Sequence, residues 1–388
     1  MASPLFSVVV LVYRHFEHLK AAVDSVLSQD YDNIELIVSD DGSPNFPSEK
    51  IRNYIEKHKK ENIQSVIIRQ EPKNVGTVKH LNHVKACCSG DYIIFLAGDD
   101  ALYNTQVLHH YHDGFMEAPE ECGIEMAQTA MCDQKLRKVM SYYMTLPVQK
   151  ALMETAVSTD SLKKMLARYG ACLPTTSTCF KRTFFDCFGD FDEDYNLVED
   201  FPMHCRLANE NYIIHYVNHV TIRHRDGGIS HGQSDTLSAS ARMYYSDLLK
   251  MDKELLMPML EALSPQEKKK YRRRWMKDIL WLDMSLRRDN HESGLRAFVY
   301  RFLYFIKNDF KALEAQRYVF LRLFVLLCIT KDLINLMFLQ AFSFSMAGFL
   351  SAVSWTFFCC YVLLSMMNGV RIIKRKIQRF PRETIALG

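Results

Sequence analysis

The chain has 388 residues, with 48 Lys and Arg against 45 Asp and Glu and a formal charge of +3. That length holds one large domain or two ordinary ones, and so small a charge gives no sign of a nucleic-acid partner. Eleven cysteines, scattered from Cys87 to Cys360 without a CxxC pair, fit neither a disulfide framework nor a zinc site and imply a reducing compartment. No charged-then-apolar leader precedes the first apolar run at Phe6, so no secretory signal is expected.

Phe6 to Val12 (FSVVVLV) has the continuous β-forming character of a strand buried on both faces. Phe16 to Ser28 carries helical spacing through Leu19, Val23, Val26 and Leu27. Ile34 to Val38 predicts a second strand, closed by the acidic turn Ser39-Asp40-Asp41-Gly42-Ser43. A charged helix follows from about Pro47 to His58, then a strand at Val66 to Ile68, a helix from Thr77 to Cys88 and a strand at Tyr92 to Leu96. Strands separated by helices of this length imply βαβ units and an α/β fold, a mostly parallel sheet flanked by helices. Right-handed crossovers then bring Leu11–Tyr13, Asp40–Gly42 and Asp99–Asp100 to one sheet edge, where open α/β sheets bind ligands. No GxGxxG follows the first strand, which argues against a nicotinamide or flavin site. The carboxylates Asp99 and Asp100 suit a hard divalent cation shared with a diphosphate; taken alone, they also read as a solvated turn.

Four stretches then carry a resemblance. VVVLVYR at 8–14, SDDGS at 39–43, NVG at 74–76 and GDYIIFLAGDD at 90–100 resemble, in order and spacing, a family 2 glycosyltransferase with the A-type, Rossmann-like nucleotide-sugar-binding fold. Downstream, FGDFDE at 188–193 followed by Val198-Glu199-Asp200 is similar to the family's acceptor-side Glu-Asp motif, and RHRDGGIS at 223–230 to its closing basic loop. The resemblance spans about residues 5 to 232. It implies an inverting transfer of a sugar from a nucleotide, with UDP the expected carrier, to a hydroxyl. By that resemblance Leu11 and Tyr13 meet the base and Asp41 accepts a bond from a base N–H. Gly76 lets the backbone approach the nucleotide, and Lys79 places a positive charge near the ribose or diphosphate. Asp99 faces the ribose and metal, Asp100 ligates Mg²⁺ or Mn²⁺, and Asp200, with Glu199 beside it, takes the acceptor's proton. Plainer readings stay open: Asp40-Asp41 as turn chemistry, Lys79 as an exposed helix lysine, and Glu199-Asp200 as the acidic start of a helix over 201–209.

Three positions depart from the family pattern. Ala97 stands where a third Asp is common, Leu81 where a helix Arg is common, and Arg225 where a His is common, with His224 shifted by one. His224 or His231 would then complete the metal shell, or Arg225 would bind the diphosphate directly. Residues 236–330 are charged and helix-prone, with KKKYRRR at 268–274 as a solvated face that can rest on anionic lipid. YRRRW at 271–275 resembles the QxxRW of processive polysaccharide synthases but lacks its Gln. From Leu333 to Val370 no charged residue occurs in 38 positions, and Arg371, Lys374, Arg375, Lys376 and Arg379 follow. This predicts membrane-associating helices with both flanks cytoplasmic. The expected organisation is a catalytic domain over 1–235 (nucleotide-sugar half 1–101, acceptor half 102–235), a charged helical region over 236–330 and an apolar region with a basic tail over 331–388. Expected partners are a nucleotide sugar, a glycan or polyprenyl-linked acceptor and membrane lipids. A homo-oligomer is left open, as are two other functions, a processive polysaccharide synthase and a catalytically silent nucleotide-sugar-binding scaffold of a glycan-assembly complex.

Overall fold

The computed structural model describes residues 3–155, 161–226 and 238–289. The calls on His231, on the uncharged stretch 333–370 and on the basic tail lie outside the described residues. Residues Met1–Ser293 form one compact unit. In chain order its first half runs β1 (Phe6–Val12), α1 (Leu19–Leu27), β2 (Ile34–Asp40), α2 (Ser48–His58), β3 (Ile63–Gln70), α3 (Thr77–Lys85), β4 (Tyr92–Ala97), β5 (Ala101–Leu102) and α4 (Val107–Glu117). The second half runs β6 (Ile124–Cys132), β7 (Val139–Tyr142), α5 (Leu146–Thr155), α6 (Ser161–Tyr169), β8 (Thr178–Lys181), α7 (Arg182–Phe188), α8 (Asp200–Asn209) and β9 (His215–Arg225). Helices α9 (Ala239–Met251), α10 (Met257–Met259) and α11 (Pro265–Asp289) follow, so the charged region is helical as far as it is described.

The strands form one sheet in the order β3-β2-β1-β4-β8-β6-β9-β5, with β7 paired to β6. β3, β2, β1 and β4 are mutually parallel, as the alternation of strands and helices requires. β8 then enters antiparallel between β4 and β6, which makes the sheet mixed. Each central strand feeds two cores because successive side chains point to opposite faces. Phe6, Val8, Val10 and Val12 of β1 pack on one side with Leu36 and Val38 of β2, Ile94 and Leu96 of β4, and the apolar stripe Leu19, Ala22, Val23, Val26 and Leu27 of α1. Val9, Ile37, Ile93 and Phe95 face the other core with Val78, Leu81 and Val84 of α3 and Phe201 of α8. Burying one such aliphatic side chain contributes about 1.5–3 kcal/mol, so the two cores fix which strand ends lie together. All eight cysteines among the described residues are free thiols. Among the described residues, no helix is long and apolar enough to cross a membrane.

Candidate functional site

The ladder overruns the strand ends. Asp41 N–H donates to Val12 O at 2.9 Å, and Gly98 N–H donates to Leu11 O at 2.7 Å, so β1, β2 and β4 deliver their termini side by side. The acidic turn after β2 is then divided between two carboxylates. Asp40 Oδ2 accepts from the backbone N–H of Ser43 at 2.6 Å and from Gln70 Nε2 at 3.0 Å, which closes the turn. Asp41, 4% exposed, reaches across to the loop before α3. Its Oδ1 accepts from Val75 N at 2.8 Å, and its Oδ2 from Asn74 Nδ2 at 2.8 Å and Gly76 N at 3.1 Å. Burial raises the Asp41 pKa, and the Val75 and Gly76 N–H groups work against that rise. Gly76 sits at φ +90°, and Gly42 at φ +72° lies so close to the loop that a Cβ would come within 2.2 Å of the Lys73 carbonyl carbon. Both glycines are therefore required by backbone geometry.

These termini open into a cleft of about 230 Å³. β1 and its end supply Leu11, Val12 and Tyr13; the turn after β2 supplies Asp41; α3 supplies Thr77, His80 and Leu81. Phe95 and Ala97 of β4 form the floor, and Thr175, Thr176 and Glu199 close the far side. Of the residues singled out by sequence, Leu11, Tyr13, Asp41 and Glu199 are brought together here. Gly76 stands at the N-terminus of α3 beside it. Lys79 does not line the cleft; it is half-exposed, with Nζ 4.0 Å from Glu193. Sequence reasoning missed His80, Thr175 and Thr176. His80 had a usable signal, a polar residue one helical turn after Gly76, whereas the two threonines sit in a short turn before β8 that no motif marked.

Glu199 and Asp200 stand at the N-terminus of α8, where the helix dipole favours negative charge. Asp200 Oδ1 accepts from Phe201 N at 2.6 Å. Burial raises the pKa of both carboxyls, and the charge of Asp200 raises Glu199 further. Adjacent carboxylates resist ionising together, so Asp200 is the one that ionises first.

A second cluster forms where β9 runs beside β5. Asp100 is fully buried. Its Oδ2 lies 2.9 Å from His224 Nδ1, and its Oδ1 accepts from the Arg225 backbone N–H at 2.9 Å. Burial acts to raise the Asp100 pKa and to lower that of His224, but the bond between them and the nearby acids leave His224 raised. Shifted by one position, His224 still reaches Asp100 Oδ2, while the backbone N–H of its neighbour Arg225 takes Oδ1. Arg225 directs its guanidinium to the carbonyls of Asp99, at 2.8 Å, and Gln134. It thereby ties β9 and the β6–β7 hairpin to the acidic pair. One carboxylate and one imidazole are donor types that Mg²⁺ or Mn²⁺ accepts when phosphate oxygens complete the shell. Among the described residues, no group of three or more His, Cys, Asp or Glu is arranged to hold a metal ion.

Residues 7–111 match the family model described as Glycosyl transferase family 2. An uncharacterized glycosyltransferase of Haemophilus influenzae is 36% identical over 110 residues, 28% of this chain and 41% of that protein. Another, of Rickettsia typhi, is 28% identical over 207 residues, 52% of this chain and 58% of that protein. The chain thus spans about half the length of the curated relatives it matches. Among solved structures, a mannosyltransferase from Pyrobaculum calidifontis in complex with GDP-Man and Mn²⁺ superposes with a TM-score of 0.50 at 14% identity, covering 80% of this chain and 83% of that one. That likeness shows a shared fold.

Proposed function

We propose that the protein is an inverting glycosyltransferase that moves a sugar from a nucleotide donor, with UDP the expected carrier, to an acceptor hydroxyl. The observation that carries this reading is the cleft, which surrounds one space with the ends of three parallel strands and opens onto Glu199 beside Asp200. Leu11, Val12 and Tyr13 give a base an apolar wall, and Asp41 gives it an acceptor. The match of residues 7–111 to the family supports the same assignment. Asp200 serves as the base that takes the acceptor's proton while the sugar departs from the diphosphate. Glu199, held protonated to higher pH, shapes the acceptor side. Asp100 and His224 would hold Mg²⁺ or Mn²⁺, with Asp99 next to them. Such a cation, when bound, neutralises charge on the leaving diphosphate.

A lipid-linked or surface glycan is the proposed acceptor, reached from a membrane surface on which residues 333–370 rest. Their 38 uncharged positions and the basic residues that follow support a cytoplasmic catalytic unit, and recovery of the full chain in the soluble fraction without detergent would sink that placement. The test of the activity is a screen of nucleotide sugars for hydrolysis and transfer by the full chain, repeated with Asp200→Asn. The variant is expected to bind nucleotide and lose transfer. In the wild type the rate should fall as pH drops through a midpoint above the ordinary aspartate value, because the buried base must be ionised to act. Transfer by Asp200→Asn near the wild-type rate, or a wild-type rate that stays flat down to pH 4, would remove Asp200 from the mechanism.

A further inference from the structure

His80 is 4% exposed and lines the cleft from the first turn of α3. Its Nε2 lies 2.7 Å from Ser39 Oγ, which is fully buried. Arg69 Nη1 donates to the same hydroxyl at 3.4 Å, and Arg69 Nη2 is held by Glu71 at 2.6 Å. The Ser39 oxygen therefore already accepts a bond, and its own hydrogen needs an acceptor. Among the described contacts of Ser39, the only acceptor is His80 Nε2. A buried hydroxyl proton is rarely left unpaired, so Nε2 accepts and the ring hydrogen resides on Nδ1. Burial, then the nearby Arg69 charge, lowers the His80 pKa to about 4, so the ring is neutral at physiological pH and keeps this single tautomer.

We propose that His80 reads the donor's base, presenting Nδ1–H to a carbonyl oxygen in the cleft, with Ser39 and Arg69 as positioning residues. The proposal rests on the nucleotide-sugar reading of the same cleft and deepens it. Asp41 supplies the complementary half: its Oδ1 takes one bond, from Val75, and a carboxylate oxygen has room for two. One acceptor and one donor on the walls of one cleft match a base edge that carries a ring N–H next to a carbonyl. Uracil and guanine have that edge; cytosine and adenine present the opposite order, a bare ring nitrogen next to an amino group. The relay thus selects lactam-type bases.

The experiment is calorimetric titration of the full chain with UDP, GDP, CDP and ADP, for wild type, His80→Ala, His80→Gln and Ser39→Ala. Wild type should prefer UDP or GDP. His80→Ala should lose about tenfold in affinity for the preferred nucleotide and change little for CDP and ADP, so that the preference collapses. His80→Gln, whose amide keeps an N–H donor, should recover part of the preference, and Ser39→Ala should weaken it by freeing the tautomer. A ¹⁵N spectrum of histidine-labelled wild type should show an Nδ1–H resonance that His80→Gln removes. A folded His80→Ala protein with the wild-type order of preference, or a His80 ring protonated on Nε2, would overturn the assignment. If wild type binds none of the four nucleotides, the assignment and the nucleotide-sugar reading fall together.

Discussion

The polar pair at the opposite end of the β6–β9 ladder yields a stability prediction with a definite sign. Glu125, fully buried at the start of β6, is opposed in register to His215 at the start of β9, and its Oε1 lies 3.1 Å from His215 Nδ1. Its other oxygen, Oε2, is buried without a hydrogen-bond partner among the described residues. Burial pushes the Glu125 pKa from 4.5 up to about 7, against the opposing pull of His215 and Lys181. Because the folded pKa lies above the unfolded one, the folded state holds its proton longer. Below pH 4.5 both states are protonated and the group costs nothing. Between 4.5 and about 7 the unfolded state has released the proton and the folded state has not, so stability falls as pH rises, and above that range the penalty is complete. At about 1.4 kcal/mol per pH unit the whole loss is about 3 kcal/mol. Glu125→Gln keeps the shape and a carbonyl to accept from His215, but it removes the ionisation. The variant is therefore expected to match wild type near pH 4.5 and to exceed it by about 3 kcal/mol at pH 8, with denaturant midpoints read at both values. Equal stabilities at pH 8, or a variant that keeps the wild-type slope between pH 5 and 7, would refute the reasoning.

Two further outcomes follow from the backbone and the acidic pair. Gly42→Ala must hold an L side chain at φ +72° with its methyl 2.2 Å from Lys73 C and 2.5 Å from Asn74 N, so the loop carrying Asn74 must move. The expected cost is about 2 kcal/mol, seen as a lowered thermal midpoint together with weakened UDP binding; an unchanged midpoint would show that the loop yields freely. Chelation with EDTA should weaken UDP binding, and restored Mn²⁺ should recover it in wild type but not in Asp100→Ala. Equal calorimetric affinity in EDTA and in Mn²⁺ would count against a cation at Asp100.

The half that ends at β4 was legible because its strands are the simple case. FSVVVLV, IELIVSD and YIIFLA are buried on both faces, so runs of apolar residues, interrupted only by Ser7 and Glu35 near the starts, mark each strand, while turn acids follow β2 and β4. β2 and β4 extend one or two residues past the expected Val38 and Leu96, while β3 runs over Ile63–Gln70 where Val66–Ile68 is expected, because its outer positions are exposed and polar at the sheet edge. The half from β6 onward hid its strands. β6 is buried through nearly its whole length yet carries Glu125, Gln128 and Thr129, and those polar residues break the apolar signal. Side-chain partners for two of them come from positions remote in sequence, Met144 for Gln128 and His215 for Glu125. No local pattern announces such a partner.

The same limit explains which site residues sequence could find. Asp41, Glu199 and Asp200 announce themselves because each ends or begins an element, and chemistry at strand and helix ends is a local property. His80 acquires its role only from Ser39, 41 positions earlier, and Ser39 acquires its own from Arg69, 30 positions later. Asp100 meets His224 across 124 positions, and only because β9 lies next to β5 and parallel to β6. That ladder also links the two ends of the molecule's polar interior. Glu125 pairs with His215 where β6 and β9 begin, and Cys132 pairs with Arg225 where they end beside Asp100. A one-residue slip where Glu125 opposes His215 would turn His215 away and leave a buried carboxylate without its partner, and a slip of β9 against β5, where Ala101 opposes Arg223, would turn His224 away from Asp100. The Glu125–His215 pair therefore specifies the alignment of β9 on β6 and the Asp100–His224 pair its alignment on β5, and the burial cost that makes Glu125 pH-sensitive is one that the wrong register could not offset.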